Sequence, residues 1–472
     1  MLGLFGTLNL GARSMQTQQQ GVEIAGHNLS NVNNPAYSRQ RLRVESSITV
    51  PDTIGPQGTG AESTGIVQIR NSLIDRQLSG EISVTGHLQA SQQALQYAQA
   101  DLGQQINRSA AGGATESAGG QNGLAEYLNQ MFGAWQSLST NVTSLAERQV
   151  LLLKAQSLTT QFNQVDQRLD SLRSTLNETV ASDVDKVNLL LREIGHLNDQ
   201  IVNAENGTRG AANDLRDARI ERIESLAKLA NIQTAEQPNG MINITIAGAL
   251  VVDGRQVADT LEAYDDGTGR TFVRLQTAGT PLNLTGGSIS GSIAARDGGI
   301  QTLRDGLNTL AGALITEVNA IHQGGFSLTG STGAPFFTGT NAGDIAVNAA
   351  LMNDPSLLQA SGTAGAVGDN TAAVAMAQLA NTRHGSLAGQ TFGQNYGQLV
   401  TALGQNLNVV NDQLENQTMI ENLLRRQRDS VSGVSLDEEM TDLLRFQRAY
   451  QASAKLISTV DEMLEIVMGL KR

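Results

Sequence analysis

The chain contains no cysteine, which excludes disulfide bonds, thiolate metal ligands and cysteine nucleophiles. Aromatic residues make up only 3% of the sequence, and proline accounts for 7 of its 472 residues, well below the usual ~5%. Cores with so few aromatic side chains are thin and aliphatic, as they are in bundles of two to four helices. The composition therefore favours an extended helical protein, and at roughly 150 residues per domain the length suggests about three domains.

Positive charge and long apolar runs are also scarce. Lysine and arginine number 32 against 45 acidic residues, which gives a net charge of −13. Proteins that bind nucleic acid neutralise phosphates with basic side chains, so we expect neither a nucleic acid nor a membrane surface as a partner. No apolar stretch approaches the ~20 residues that span a bilayer. The N-terminus has no basic leader before an apolar run, so we expect no cleaved signal peptide.

Patterns that carry chemistry are missing as well. The five histidines are scattered, and none lies at metal-ligand spacing from another. The sequence also lacks the G-x-S-x-G, H-E-x-x-H and phosphate-loop patterns. Asp265, Asp266 and Gly267 indicate a tight turn, because the acidic spacing and the distal glutamate of a calcium loop are missing. We therefore predict no catalytic site, no metal site and no cofactor, and we expect that the protein is not an enzyme.

The most continuous apolar pattern lies at the two ends of the chain. A row near the C-terminus repeats every seven residues and comprises Leu443, Tyr450, Ile457 and Leu464. A row with the same spacing lies near the N-terminus and comprises Leu8, Met15, Val22 and Leu29. Such stripes must be covered by another helix. We predict that residues 1–36 pair with residues 432–472 as a terminal coiled-coil domain.

The middle of the chain changes its period twice. Apolar residues spaced three and four apart predict a single helix from Leu158 to Ile201, and residues 37–230 with 293–431 form the predicted helical rod. Between them Ile242, Ile244 and Ile246 alternate with polar residues, which predicts an inserted β domain over 231–292. Residues 109–123 are small and polar and predict a mobile connector. The expected fold is mainly α with a small, outward-projecting β insertion (α+β), in an elongated multi-domain molecule with a long central helical bundle.

Three arginines alternate with other residues after the first helix. Arg39, Arg41 and Arg43 would lie on one face of an extended segment. One interpretation is a solvated strand edge. The other is a basic strip that contacts an acidic neighbouring subunit.

Several stretches resemble a known family. The N-terminal run 25–40 resembles the signature of bacterial flagellar rod, hook and hook-associated proteins, although Ala36 stands where the family usually has glycine. The positions that carry this signature are Asn28, Asn31, Asn33, Pro35, Tyr37, Arg39 and Gln40. Residues 319–337, 353–357, 432–440 and 447–454 resemble hook-associated members of the same family. The resemblance therefore covers both ends and the centre of the chain.

The resemblance implies a structural axial protein of the extracellular flagellum that joins the hook to the filament. It implies export by the flagellar type III apparatus without a cleaved signal. The implied partners are the hook protein, the second hook-filament junction protein, further copies of the chain in a helical tube, and an export chaperone before secretion. The chaperone and assembly surface would comprise Leu443, Phe446, Tyr450, Ile457, Val460 and Leu464.

Two alternatives stay open from the sequence. The chain could be another axial protein, either the second junction protein or the hook protein. It could also be a secreted adhesin that acts through the β insertion.

Overall fold

The computed structural model describes residues 3–51, 55–103, 123–206 and 211–469. The helices are α1 (Leu4–Ser30), α2 (Ser72–Asp101), α3 (Leu124–Thr140), α4 (Leu145–Ala204), α5 (Asn213–Leu229), α6 (Gly287–Ala294), α7 (Gln301–Gly324), α8 (Ala349–Asn353), α9 (Thr371–Gln378), α10 (Phe392–Ser432) and α11 (Leu436–Gly469). A π-helical turn over Ala295–Ile300 joins α6 to α7, and short 3-10 turns cover Pro355–Leu357, Leu379–Asn381 and Gly385–Leu387.

The strands form small antiparallel sheets. Their bounds are β1 (Gln40–Ser46), β2 (Thr49–Val50), β3 (Gln57–Gly58), β4 (Ala61–Gln68), β5 (Ile232–Glu236), β6 (Ile242–Ile246), β7 (Ala249–Asp253), β8 (Gln256–Val257), β9 (Leu261–Asp265), β10 (Thr271–Leu275), β11 (Phe337–Thr338) and β12 (Ala346–Val347). Strands β5 to β8 form a four-stranded sheet in chain order, while β1–β4, β2–β3, β9–β10 and β11–β12 are separate pairs. The mainly helical fold with small sheets that the sequence predicted is confirmed.

Helix α4 is the longest element, with 60 residues, and at ~1.5 Å per residue it extends about 90 Å. It begins at Ser144, whose hydroxyl accepts from the backbone N–H of Glu147 at 3.3 Å. The sequence predicted the apolar stripe from Leu158 onward, and the helix begins earlier because Leu151 and Leu152 are also buried in the core that it shares with α3. One buried face of α4 therefore runs nearly its whole length.

That face of α4 serves two separate cores. Up to Leu176 it packs into a large core with α3, α7, α9 and the start of α10. From Val180 onward it packs into a second core with α5, α6 and strands β6, β7, β9 and β10. The predicted β insertion therefore shares its core with α4 and α5. Its boundaries, like those of the other predicted domains, stay a prediction.

The insertion contains two tight turns, of which the one at Asp265–Gly267 was predicted. Gly240 has φ +85° in the turn between β5 and β6, a conformation that glycine adopts without strain. Asp265 Oδ1 accepts from the backbone N–H of Gly267 at 2.7 Å and of Gly269 at 3.1 Å between β9 and β10. Of the predicted connector over 109–123, residues 109–122 lie outside the described residues. In the part of the chain that the structure describes, no helix is long and apolar enough to cross a bilayer.

Candidate functional site

The two terminal helices, α1 and α11, pack against each other in an antiparallel pair. Near the N-terminus of α1, Ile457 lies over Gly11, and a Cβ atom on Gly11 would be 2.8 Å from its Cγ1. Farther along, the hydroxyls of Ser14 and Ser453 are 2.9 Å apart. Phe446 then lies over Gly21, and Asn28 Nδ2 donates to Glu439 Oε2 at 3.0 Å near the end of α1. These contacts define one register for the pair.

The contacts between α1 and α11 form a seam that includes small residues. On α11 the predicted Ile457 and Val460 lie in or beside it, Leu443, Phe446 and Leu464 are partly buried, and Tyr450 is 37% exposed at its rim. On α1 the predicted row of Leu8, Met15, Val22 and Leu29 is partly buried, and its packing role stays a prediction. Gly11, Ser14, Gly21 and Asn28 of α1 contact α11. A search for apolar repeats misses such residues, although Ser14, Gly21 and Asn28 also repeat every seven positions.

Helix α11 keeps large apolar side chains outside this seam. They are exposed in the chain by itself and include Leu436, Met440, Leu444, Met463 and Ile466. Phe5 on α1 is 71% exposed. Because apolar surface of this extent is uncommon on a protein that stays alone, the helix pair has the character of an assembly surface.

The signature residues form a corner where α1 meets β1. The amide of Asn28 pairs with the backbone of Gln40, since its Nδ2 donates to the carbonyl at 2.9 Å and its Oδ1 accepts from the N–H at 3.0 Å. The hydroxyl of Tyr37 also donates to Asn28 Oδ1 at 2.7 Å, and it lies 2.9 Å from His27 Nδ1. Asn28 therefore takes the place of a neighbouring strand at the edge of β1.

Arg39 joins this corner to the first turn of α11. Its guanidinium makes ion pairs with Glu438 at 2.5 Å, with Glu439 at 2.6 Å and with Asp442 at 3.8 Å. Burial opposes the charge, but the hydrogen bond to Glu438 and the attraction of Glu439 and Glu438 raise the pKa of Arg39 above its ordinary value. Of the two interpretations of the arginine strip, neither describes Arg39, because its acidic partner is a helix of the same chain.

The other two arginines of the strip behave differently. Arg41 and Arg43 are exposed on β1, and Arg43 lies 3.3 Å from the carboxylate of Glu45. The register of β1 against β4 is regular from Gln40 to Arg43, so Arg41 and Arg43 lie on one face of the strand, while the guanidinium of Arg39 is bound to α11.

A second set of contacts joins the corner to the rod. Ser38 donates to Asp217 of α5 through its backbone N–H at 2.9 Å and its hydroxyl at 2.8 Å. Arg70 Nη1 also donates to Asp217 at 2.9 Å, and the side chain of Gln40 donates to Asp214 at 2.8 Å. Burial raises the pKa of Asp217, and the hydrogen bonds from Ser38 and the charge of Arg70 oppose that rise.

The same acidic surroundings act on Tyr37. Burial raises the pKa of its hydroxyl, and the nearby carboxylates of Asp214, Asp217 and Glu439 raise it further. The hydroxyl therefore stays protonated and remains a hydrogen-bond donor.

The remaining signature residues have local roles. Asn31 Nδ2 donates to the carbonyl of His27 at 3.0 Å at the end of α1. The carbonyl of Pro35 accepts from Arg428 of α10 at 3.4 Å. Asn33 is exposed. The signature is thus mainly a set of contacts that ties the terminal helices to the rod.

A cleft of about 1000 Å³ lies between β1 and the start of α11. Its walls carry side chains of both charges, among them Arg41 and Arg445 on one hand and Asp437 and Asp442 on the other. Among the described residues, no group of histidine, aspartate and glutamate side chains is arranged to hold a metal ion.

Comparisons with known proteins place this architecture in a family. A family model described as the flagellar hook-associated protein FlgK helical domain matches residues 114–337. A second model, the flagellar basal body rod FlgEFG protein C-terminal region, matches residues 426–470, which include α11. The second match therefore covers α11, the helix that packs against α1 and binds Arg39.

Two relatives that align over nearly the whole chain share one name. Flagellar hook-associated protein 1 of Bacillus subtilis (strain 168) is 26% identical over 522 aligned residues, which cover 99% of this chain and 99% of that protein. The protein of the same name from Escherichia coli (strain K12) is 24% identical, over 98% of this chain and 99% of its own length.

The fold has a solved counterpart. The flagellar hook junction protein FlgK from Burkholderia pseudomallei matches with a TM-score of 0.64 at 15% sequence identity, over 76% of this chain and 100% of that one. The resemblance that the sequence motifs indicated is confirmed by the family models and the whole-length relatives together. Over its whole length the chain is similar to flagellar hook-associated protein 1, and its middle matches the helical domain of that protein.

Proposed function

We propose that this chain is a structural axial protein of the bacterial flagellum and that it joins the hook to the filament. The observation that carries the proposal is the long α1–α11 pair, whose exposed apolar side chains need a partner. Its relatives named flagellar hook-associated protein 1 align with it over 98–99% of this chain, which supports the same role. The proposed role is mechanical, because the protein connects other proteins through its contact surfaces.

The proposed partners follow from that position. One end of the assembled ring of subunits contacts the hook protein, and the other contacts the second hook-filament junction protein. Copies of the chain contact one another through head-to-tail surfaces in a helical tube. The terminal helices form its inner layer, the central helices a second layer, and the β insertion lies outside.

Export comes before assembly. The flagellar type III apparatus carries the chain out without a cleaved signal, and a chaperone covers the apolar surface of α11 until then. This surface comprises Leu443, Phe446, Tyr450, Ile457, Val460 and Leu464. Phe446 and Ile457 contact α1 in the folded chain. The chaperone and α1 therefore compete for the same face of α11.

The test is to add the purified protein to bare hooks from cells that lack it and to image the hook ends by electron microscopy. Direct decoration is the expected result. Decoration that requires another junction protein first would instead indicate the second junction protein. Failure in both conditions would contradict the proposal and favour the secreted adhesin.

A pair of variants connects the test to α11. The double substitution Tyr450→Asp with Ile457→Asp places charges at the rim and in the seam, and we expect it to abolish decoration while the rod stays folded. The control, Gln451→Asp with Ser458→Asp, adds the same charge one position along, where both side chains are exposed. Equal decoration by the two variants would show that this face is not used.

A further inference from the structure

The contact layers of the α1–α11 pair repeat with the same period on both helices. Seven residues separate successive layers on each side, and the paired residues are Asn28 with Glu439, Gly21 with Phe446, and Ser14 with Ser453. When two helices share a seven-residue repeat, a shift by seven residues brings layer against layer again. Slipped pairings are therefore the natural competitors of the observed register.

Glu439 is the residue that such a shift would damage most. Its side chain is 3% exposed, and it is held by Arg39 Nε at 2.6 Å and by Asn28 Nδ2 at 3.0 Å. A seven-residue slip moves it by about 10 Å along α1. A buried carboxylate that loses both donors is costly, whereas the apolar contacts of the seam are re-formed elsewhere.

The amide of Asn28 and the backbone of Arg39 are held in place without α11. The amide of Asn28 is paired with the backbone of Gln40 and with the hydroxyl of Tyr37. The carbonyl of Arg39 accepts from the N–H of Ile69 at 2.8 Å, which anchors its backbone to the segment after β4. The position of Asn28 is therefore fixed before Glu439 binds, while the guanidinium of Arg39 takes its partners from α11.

We propose that Asn28 and Arg39 form a register-setting site for the terminal helix pair, and that its ligand is the carboxylate of Glu439. The site selects one pairing among those that the seven-residue repeat allows, as buried polar residues do in other coiled coils. Through Ser38 and Asp217 it also fixes that pairing relative to the rod. This role goes beyond the proposed function, since it does not depend on which structure the chain joins.

A steric feature of the seam favours the same register. A Cβ atom on Gly21 would lie 2.6 Å from Cδ1 of Phe446, so this ring requires a glycine opposite it. After a slip by seven residues in either direction the ring would face Ser14 or Asn28, which both carry a Cβ atom. The ring therefore adds a steric preference for the observed register to the selection by Glu439.

Disulfide trapping tests the proposal directly, because the chain has no cysteine of its own. The pair Ser14→Cys with Ser453→Cys reports the observed register, since the two hydroxyls are 2.9 Å apart. Thr7→Cys with Ser453→Cys reports a slip in one direction, and Ser14→Cys with Val460→Cys reports a slip in the other. In the otherwise unchanged full-length chain, we expect the first pair to link at least about tenfold faster than the other two.

The variant Glu439→Leu removes the ligand and leaves neither donor without a partner, because Asn28 keeps Gln40 and Arg39 keeps Glu438. We expect each slipped pair to link at least about tenfold faster than it does in the unchanged chain. Glu438→Leu is the matched control, since Glu438 also binds Arg39 but its side chain is 63% exposed. It should keep the native pattern, and so should Glu439→Gln, whose amide oxygen still accepts from Asn28.

Three results would overturn the proposal. Slipped pairs that stay at background in Glu439→Leu would show that the carboxylate does not select the register. Loss of all three links would show that Glu439 holds the helices together rather than choosing their alignment. Equal linking of all three pairs in the unchanged background would show that no register is selected.

Discussion

Gly21 lies where the ring of Phe446 crosses α1, and its missing side chain allows the two helices to approach. Gly26 lies on the same helix with no atom within 4 Å of the position that a Cβ would take. Both glycines lower the intrinsic stability of α1 by about 1 kcal/mol relative to alanine. The two sites therefore differ in packing and share the same propensity cost, which makes them a matched pair.

Gly21→Ala should loosen α11 by about 1–3 kcal/mol, because overpacking of a close contact costs that much. Gly26→Ala should keep the pair intact or tighten it slightly. Hydrogen exchange of the backbone amides in α11 measures the difference, and a loss of 1.4 kcal/mol appears as about tenfold faster exchange. Equal protection in the two variants would contradict the contact between Phe446 and Gly21.

His322 is a buried side chain of the large core whose role depends on pH. Its Nδ1 lies 2.7 Å from the carbonyl of Ala334 and its Nε2 accepts from the N–H of Gln359 at 3.1 Å, which requires the neutral ring. The pKa of His322 is lowered to about 4, chiefly by burial and also by the charge of Arg148, while the bond to Ala334 opposes the shift. Between pH 6.5, the ordinary pKa of histidine, and about pH 4, His322 is therefore protonated in the unfolded chain and neutral in the folded chain.

The stability that neutral His322 contributes should be fully present above pH 6.5 and lost progressively as the pH falls to about 4. The fluorescence of Trp135 reports this core, because it is the one tryptophan of the sequence and its ring lies 5.4 Å from that of Phe336. We expect the urea midpoint of the unchanged chain to fall over this pH range more steeply than that of His322→Gln. Parallel pH profiles would show that His322 does not cause the loss.

At the scale of elements, α4 holds the strands through a row of asparagines. The backbone of Leu261 is held on both sides by Asn188, which donates to its carbonyl and accepts from its N–H, each at 2.8 Å. Asn198 makes the same pair of bonds with Ile242 at 2.9 and 3.2 Å, and Asn177 binds the turn before β10. An amide has one donor side and one acceptor side, so it can take the place of a neighbouring strand.

Asn198→Ala should release β6 from α4. Asn198 is fully buried, and it also donates to the carbonyl of Gly254 and accepts from Arg219 at 2.8 Å. Its loss leaves buried groups unpaired, at roughly 1–3 kcal/mol for each. Hydrogen exchange of the amides in β6 and β7 measures the effect, which should exceed tenfold.

Asn203→Ala is the control for this row, because Asn203 is exposed on the same helix and its amide donates to the carboxylate of Asp199 at 3.3 Å. Exposed substitutions of this kind usually change stability by less than about 0.5 kcal/mol. If the two variants exchange alike, the asparagine row does not hold the sheet.

The asparagine row also shows where prediction from the sequence ended. The apolar stripe of α4 and the alternating isoleucines of β6 were predictable, because burial imposes their periods of 3.6 and 2. Asn177, Asn188 and Asn198 bury polar groups whose partners are distant backbone atoms, and such pairs leave no local period. The terminal seam is similar, since the pairing of the ends followed from apolar repeats but Gly11 and Gly21 did not.

The acidic first turn of α11 shows the limit of a local pattern. Asp437, Glu438 and Glu439 suit the positive end of the helix dipole, and their local sequence predicts no further role. In the structure Glu438 and Glu439 bind Arg39, more than 390 positions away in the chain. Contacts between such distant segments depend on the whole topology, so neither charge pattern predicted the other.

At the scale of the whole molecule, the two cores meet at one level of the rod. The π-helical turn between α6 and α7 lies there, and its Arg296 is 1% exposed. The guanidinium donates to Asn177 of α4 at 2.7 Å and to the carbonyl of Thr271 at 2.6 Å, and it pairs with Asp297 at 2.8 Å. The contact between the cores is therefore polar, while the interior of each is apolar.

Because the buried charge of Arg296 lies between two separate apolar clusters, the two cores should lose stability separately. Leu314 lies fully buried in the first core and Ile244 fully buried in the second. Truncation of either to alanine removes buried methyl groups at a cost of about 2–5 kcal/mol. Leu314→Ala should lower the urea midpoint reported by Trp135 and leave the amides of β6 and β7 protected.

Ile244→Ala should do the reverse, with fast exchange in β6 and β7 and an unchanged midpoint for Trp135. Helix α4 crosses both cores, but its hydrogen bonds reach only four residues along the chain, so its second half can open while the first stays packed. If either substitution shifted both signals equally, the rod would be one cooperative unit. Separate responses would mean that the strands of the second core can change or be lost in evolution without lowering the stability of the first core, which contains α3, α7 and the start of α10.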